Sequence, residues 1–162
     1  MAELTNLETK LGEVIGLAMA AQTATERVEK LTSDRQLKKQ LQTMRKEAAK
    51  AEKDGTTVAA SFSGKKAKIL SEARTVKTKG ATMMKTYLER DSDDLDGFEF
   101  LTMAEAGEVG HWTVLQELNK QTRHTGVRQL VSTHLPIQKR HLKDAMAASV
   151  QLAAKEDANA AA

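Results

Sequence analysis

"FEFLTMAEAGEVGHWTVL" runs from Phe98 to Leu115. Its apolar residues recur in steps of three and four, the spacing of one face of a helix. Carried on from Phe98 and Leu101, those steps reach Glu105, Glu108, Trp112 and Leu115. Two carboxylates thus fall on positions that face a core. His111 follows Glu108 by three residues and sits beside Trp112 at the edge of the same face. A helix that carries charge on its inward side needs neighbours that answer that charge.

The rest of the chain is built to supply helical neighbours. It has 162 residues, the length of one domain. Hydrophobic residues make up 40% but aromatics only 3%, so Ala, Leu, Val and Met must fill the core. That composition favours close-packed helices over sheets, as does a single proline. Without cysteine there is no disulfide, thiolate metal site or cysteine nucleophile. The N-terminal "MAELTNLETKLGEVIG" is polar and periodic, unlike a signal peptide. No apolar run reaches the roughly 18 residues of a membrane span. The expectation is a soluble, cytoplasmic protein.

Helical periodicity organises the chain. Leu4, Leu7, Leu11, Val14, Ala18, Ala21, Thr25 and Val28 form the seam of a first helix. Ser33 or Asp34 can cap a second, with seam Leu37, Leu41, Met44, Ala48 and Ala51 and a stop at Gly55. The short link makes these an antiparallel hairpin. Residues 56–92, interrupted by Gly64 and Gly80, read as a crossover of one or two shorter helices. Phe62, Ile69, Leu70, Ala73 and Val76 mark one face there, and Met83, Met84, Tyr87 and Leu88 another. The acidic "DSDDLDG" leads into the helix of the opening stretch, which breaks at Gly126. The last helix, from about Val127, carries the seam Val127, Leu130, His134, Gln138, His141, Ala145, Ala148 and Leu152. That seam passes through Pro136 in phase, so a kink is expected there rather than a helix start. Two hairpins joined by a long crossover give an all-α, four-helix bundle of the ferritin-like kind. Residues 1–156 form this single bundle, and 157–162 form an Ala-rich tail expected to be mobile.

Polar groups fall at mid-height on every seam. Glu105 and Glu108 come from the third long helix and His134, Gln138 and His141 from the last. Gln22 and Glu47 lie at seam edges on the first two. Buried charge without partners costs several kcal/mol. Di-metal carboxylate bundles answer that cost with two glutamates and two Glu-x-x-His pairs. Here "EVGH" at 108–111 is a Glu-x-x-His and "QKRH" at 138–141 a Gln-x-x-His. A layer of Glu and His side chains that satisfy one another is the alternative. His124 falls in a loop and reads as solvated, and Trp112 reads as a core anchor.

With the helices laid out, the chain resembles the ferritin-like YciE/YciF stress-protein family over nearly its whole length. "GLAMAAQTATERVEKL", "GKKAKILSEARTVKTKGATMM" and "DDLDGFEFLTMAEAGEVGHWTVL" carry the resemblance. Glu105, Glu108 and Trp112 match that family's E-x-x-E followed by an aromatic. "HLPIQKRHL" is similar to the last helix of a second ferritin-like family of bacterial bundle proteins. The resemblance implies a bacterial ferritin-like bundle, dimeric in solution, with a di-metal centre. Its ligand positions map onto Glu47, Glu105, Glu108, His111 and His141, with Fe or Mn as the metal. Three further positions depart from the pattern: Gln22 and Gln138 stand where Glu is expected, and Lys50 where His is expected. Gln is a poorer ligand than Glu for hard ions, and protonated Lys is none.

Three functions follow as expectations. The first is a stress-associated bundle protein with a degraded di-metal site and no catalysis. The second is an Fe or Mn protein with oxidase- or peroxidase-like activity. The third is an interaction module using the basic run Lys65, Lys66, Lys68, Lys77, Lys79 and Lys85. The net charge is only +3, and no aromatics interleave with those lysines. The run therefore reads first as solvated surface, and nucleic acid is not an expected partner. No nucleophile elbow, P-loop or dinucleotide motif is present.

Overall fold

The computed structural model describes residues 3–161. Met1, Ala2 and Ala162 lie outside the described residues, and with them the start of the N-terminal stretch and the last residue of the Ala-rich tail. Among the described residues all regular structure is helical: α1 (Asn6–Leu31), α2 (Arg35–Ala59), α3 (Lys66–Tyr87), α4 (Asp94–Thr122) and α5 (Thr125–Ala153). No helix among them is long and apolar enough to cross a membrane.

Local chemistry sets most of the helix starts. Thr5 and Glu8 form a reciprocal capping box on α1, and Asp93 and Asp96 form another on α4. Asp34 caps α2 by accepting from the backbone N–H groups of Gln36 and Leu37. His124 lies in the α4–α5 loop as expected but is not solvated. It is half-buried, its ring accepts from Val127 N–H as the N-cap of α5, and it stacks on Phe62 with centroids 4.5 Å apart.

Several boundaries differ from those the sequence predicts. α2 continues past Gly55 to Ala59, because Gly55 is buried against Ile15 of α1 rather than ending the helix. The crossover is one helix of 22 residues, one of the two expected arrangements, but Gly80 does not interrupt it and faces Ala20 of α1. Gly64 alone takes a left-handed turn there, at φ 70°. α4 ends at Thr122 with the left-handed Arg123 as its C-cap, so Gly126 lies within the first turn of α5 and not at the break. Pro136 lies inside α5.

Side-chain contacts fix the helix directions. His111 of α4 meets Glu13 of α1, and Gly97 meets Val28, so α1 and α4 run antiparallel. His141 reaches Glu47 while His134 reaches Asp54, so α2 and α5 are antiparallel too. Trp112 faces His134 and Glu105 faces His141, which makes α4 and α5 antiparallel. α1 and α2 form a hairpin through a three-residue link, residues 32–34. α3 runs beside α1 in the same direction: Gly12 abuts Ile69 and Gly16 abuts Ala73. α1, α2, α4 and α5 thus enclose a common interior, and α3 covers the outside of α1.

That interior holds two apolar clusters. One contains Leu11, Ile15, Trp112, Leu115, Leu130 and Leu135. The other contains Val28, Leu41, Met44, Phe98, Leu101 and Leu152. Between them lie Glu105, Glu108, Gln138 and His141, all buried.

Candidate functional site

Antiparallel register builds this polar layer from three helices. α4 and α5 face each other with Trp112 opposite His134 and Glu105 opposite His141. Glu108 and Gln138 lie midway between those two contacts along their helices. Seven residues, about two helical turns, separate His134 from His141 on α5 and Glu47 from Asp54 on α2. The two helices therefore meet through two equivalent imidazole–carboxylate contacts, His141 Nε2 to Glu47 at 2.6 Å and His134 Nε2 to Asp54 at 2.8 Å.

Each of these two carboxylates also holds a cation on its outer side. Arg140 donates to Glu47 at 2.6 Å, and Lys50 donates to Asp54 at 2.5 Å. Burial pulls the Glu47 carboxyl upward, but its bonds to Arg140 and His141 outweigh that and hold it below the usual carboxylate range. The same competition, with Lys50 and His134 as partners, lowers Asp54. Burial depresses His141, yet Glu105 and Glu47 on its two sides raise it above the ordinary histidine range.

The inner side of the layer is less satisfied. Glu105 Oε2 lies 3.6 Å from His141 Nδ1, an electrostatic contact longer than a hydrogen bond. Glu105 Oε2, Glu108 Oε2, Gln138 Oε1, His134 Nδ1 and Trp112 Nε1 are buried without protein hydrogen-bond partners. Burial first, and then the neighbouring Glu105 charge, pushes the Glu108 carboxyl well above the carboxylate range. Burial and the Glu105 charge thus both favour the neutral acid at Glu108.

The sequence-derived ligand set is only partly assembled. Glu47, His141, Glu105 and Glu108 share the layer. His111 does not join them: 40% of its side chain is exposed, and its Nδ1 lies 2.9 Å from Glu13 of α1, with Lys10 nearby. Gln22 turns to the α1–α2 surface, donating to Glu52 at 2.5 Å and to the Ala18 carbonyl. Lys50 is exposed and bound to Asp54. Gln138 alone of the three departures is buried in the layer. α1 brings no ligand inward, since Ala18 and Ala21 occupy its buried face and Thr25 returns its hydroxyl to its own backbone. Asp54 was missing from the sequence-derived site. Its signal was the seven-residue spacing from Glu47 that matches His134 to His141.

A di-metal centre does not fit these donors. Among the described residues no three His, Asp or Glu side chains are grouped so as to hold a metal ion. Gln138 brings no charge, and α1 brings no carboxylate into the layer. The chain matches no family model, and no curated protein or solved structure matches it.

Proposed function

We propose that this chain is a ferritin-like four-helix bundle protein, stress-associated and non-catalytic, whose di-metal site has been replaced by a carboxylate–imidazole network. The up-down-down-up order of α1, α2, α4 and α5, with α3 as the crossover, supports the ferritin-like reading. One observation carries the loss of the metal pair: α1 presents Ala18 and Ala21 where a dinuclear site needs a carboxylate. The stress association, the bacterial source and a homodimeric state rest on the resemblance described above, and the cytoplasmic setting on the sequence reading of the N-terminus and the apolar runs.

A second reading has its own support. The unpartnered Glu105 Oε2 and Glu108 Oε2 are hard oxygen donors, and His141 Nδ1 lies beside them. His141 is oriented from behind by Glu47, as the ligand histidines of metal sites are. One Fe or Mn ion, supplying oxidase- or peroxidase-like chemistry, would require Glu105, Glu108 and His141 to draw closer together than they stand here. The basic-module reading is weaker. Lys65 contacts Glu8 and the Glu3 carbonyl, and Lys77 and Lys79, two residues apart, leave α3 on different sides.

Metal content separates the first two readings. The wild-type chain and a Glu108→Ala variant are purified without chelators, loaded with Fe(II) or Mn(II), desalted and measured by elemental mass spectrometry. The proposal expects no stoichiometric metal in either protein. About one ion per chain in the wild type, lost in the variant, establishes the second reading instead.

A further inference from the structure

At the α4–α5 turn, remote from the polar layer, lies a cavity of about 490 Å³. Arg123, Arg128 and Lys120 line it, with Gln116, Ser132 and the buried Val131. Both arginines stand where local physics disfavours them. Arg123 has φ 55°, a left-handed backbone that favours glycine. Arg128 lies near the start of α5, whose first turn has no acidic residue and whose N-terminus carries partial positive charge. Among the described residues neither guanidinium pairs with a carboxylate. Among those residues Lys120 pairs only with Glu117, and both of those side chains are largely exposed.

The turn is rigid. Asn119 is buried, accepts from His124 N–H and the Thr122 hydroxyl at 3.0 Å each, and donates to the His124 carbonyl at 3.1 Å. It fixes the backbone that aims Arg123 at the cavity. An anion seated there would answer both misplaced charges at once.

We propose that this cavity binds the phosphate group of a small phosphorylated organic molecule. Arginine forks match phosphate oxygens in pairs, and two of them with Lys120 suit a dianion better than a single carboxylate. The volume is that of a small-molecule site. Val131 and the arginine stems give the organic portion an apolar wall. A nucleic-acid backbone would instead need an extended basic track, and Glu117 stands at the Lys120 rim.

Isothermal titration of the full chain with phenyl phosphate tests this, with inorganic phosphate and a 20-nucleotide single strand as comparison probes. Phenyl phosphate is expected to bind saturably, one per chain, more tightly than inorganic phosphate. Arg128→Ala and Arg123→Gly should each weaken it by about tenfold or more. Arg123→Gly removes the strained φ, so its melting temperature is expected to hold or rise, which separates lost binding from lost folding. No saturable binding, or wild-type affinity in both variants, overturns the proposal. So does inorganic phosphate binding as tightly as phenyl phosphate. Tighter binding of the oligonucleotide through the same arginines also overturns it, in favour of nucleic acid.

Discussion

His141 Nε2 lies 2.6 Å from Glu47, and this contact ties α5 to α2 at the edge of a buried layer. One face of His141 meets Glu47 and the other looks toward Glu105. Glu47→Ala leaves that buried imidazole without its hydrogen-bond acceptor. The expected loss is about 2–3 kcal/mol in urea denaturation. Arg140→Ala removes only the outer cation of the same carboxylate, a half-exposed pair, and should cost under about 1 kcal/mol. Equal losses from the two variants would place the stabilisation at the surface instead.

The same groups set the pH dependence. Folding lowers the carboxyls of Glu47 and Asp54. Their contribution is present above the unfolded range of about 4 and is lost as pH falls through their folded values. Folding raises His141. Its contribution is complete below about 6.5 and is lost as pH rises through the folded value. Melting temperatures followed from pH 3 to 9 should fall on both sides of a mildly acidic maximum. His141→Gln should flatten the decline above about pH 6.5 and leave the acid limb in place.

Glu108 acts in the opposite sense to Glu47. Its folded carboxyl is raised, so it favours the folded state below the unfolded range of about 4.3 and opposes it as pH climbs toward the folded value. Glu108→Gln keeps the shape and removes the ionisation. It should raise stability at pH 7–8 by about 1–2 kcal/mol. Chemical denaturation at pH 5 and pH 8 checks this, and the gain should be larger at pH 8. A loss of stability at both values would mean that the ionised carboxylate is held by a partner such as a metal ion.

Much of the helical plan was legible because it rests on periodicity. Every seam position of α5 from Val127 to Leu152 is buried, and so are Phe98, Leu101, Glu105, Glu108, Trp112 and Leu115 of α4. The inward direction of Glu105 and Glu108 was therefore readable from spacing alone. Where His111 points was not. A step of three residues turns about 60° short of a full circle, and a step of four about 40° beyond it. From Glu108 the first step leads toward α1 and Glu13, and the second leads to Trp112 against His134 on α5. Which neighbour lies on each side is a property of the packing, not of the spacing. The same holds for Gln22, which lies one turn beyond Ala18 yet faces Glu52. Gly55 and Gly126 misled for a related reason. Glycine ends helices where the backbone turns left-handed. Here Gly55 admits Ile15 within α2, while Arg123 takes the turn.

Glycine in these helices gives the last test, because the space around each one differs. A β-carbon at Gly16 would strike the carbonyl oxygen of Ala73 and press on Val76 of α3. A carbonyl within a helix cannot swing aside as a flexible side chain can, so the two helices must separate. Gly16→Ala should therefore cost about 1–3 kcal/mol. Gly110, on the exposed face of α4, has no atom within 4 Å of its β-carbon position. Gly110→Ala meets no obstacle and gains helix propensity, so it should stabilise by about 0.5–1 kcal/mol. Thermal melts of the two single variants decide the matter. If Gly16→Ala were neutral, the close approach of α1 and α3 would be wrong. If Gly110→Ala destabilised the protein, that face of α4 would be packed against another molecule in solution.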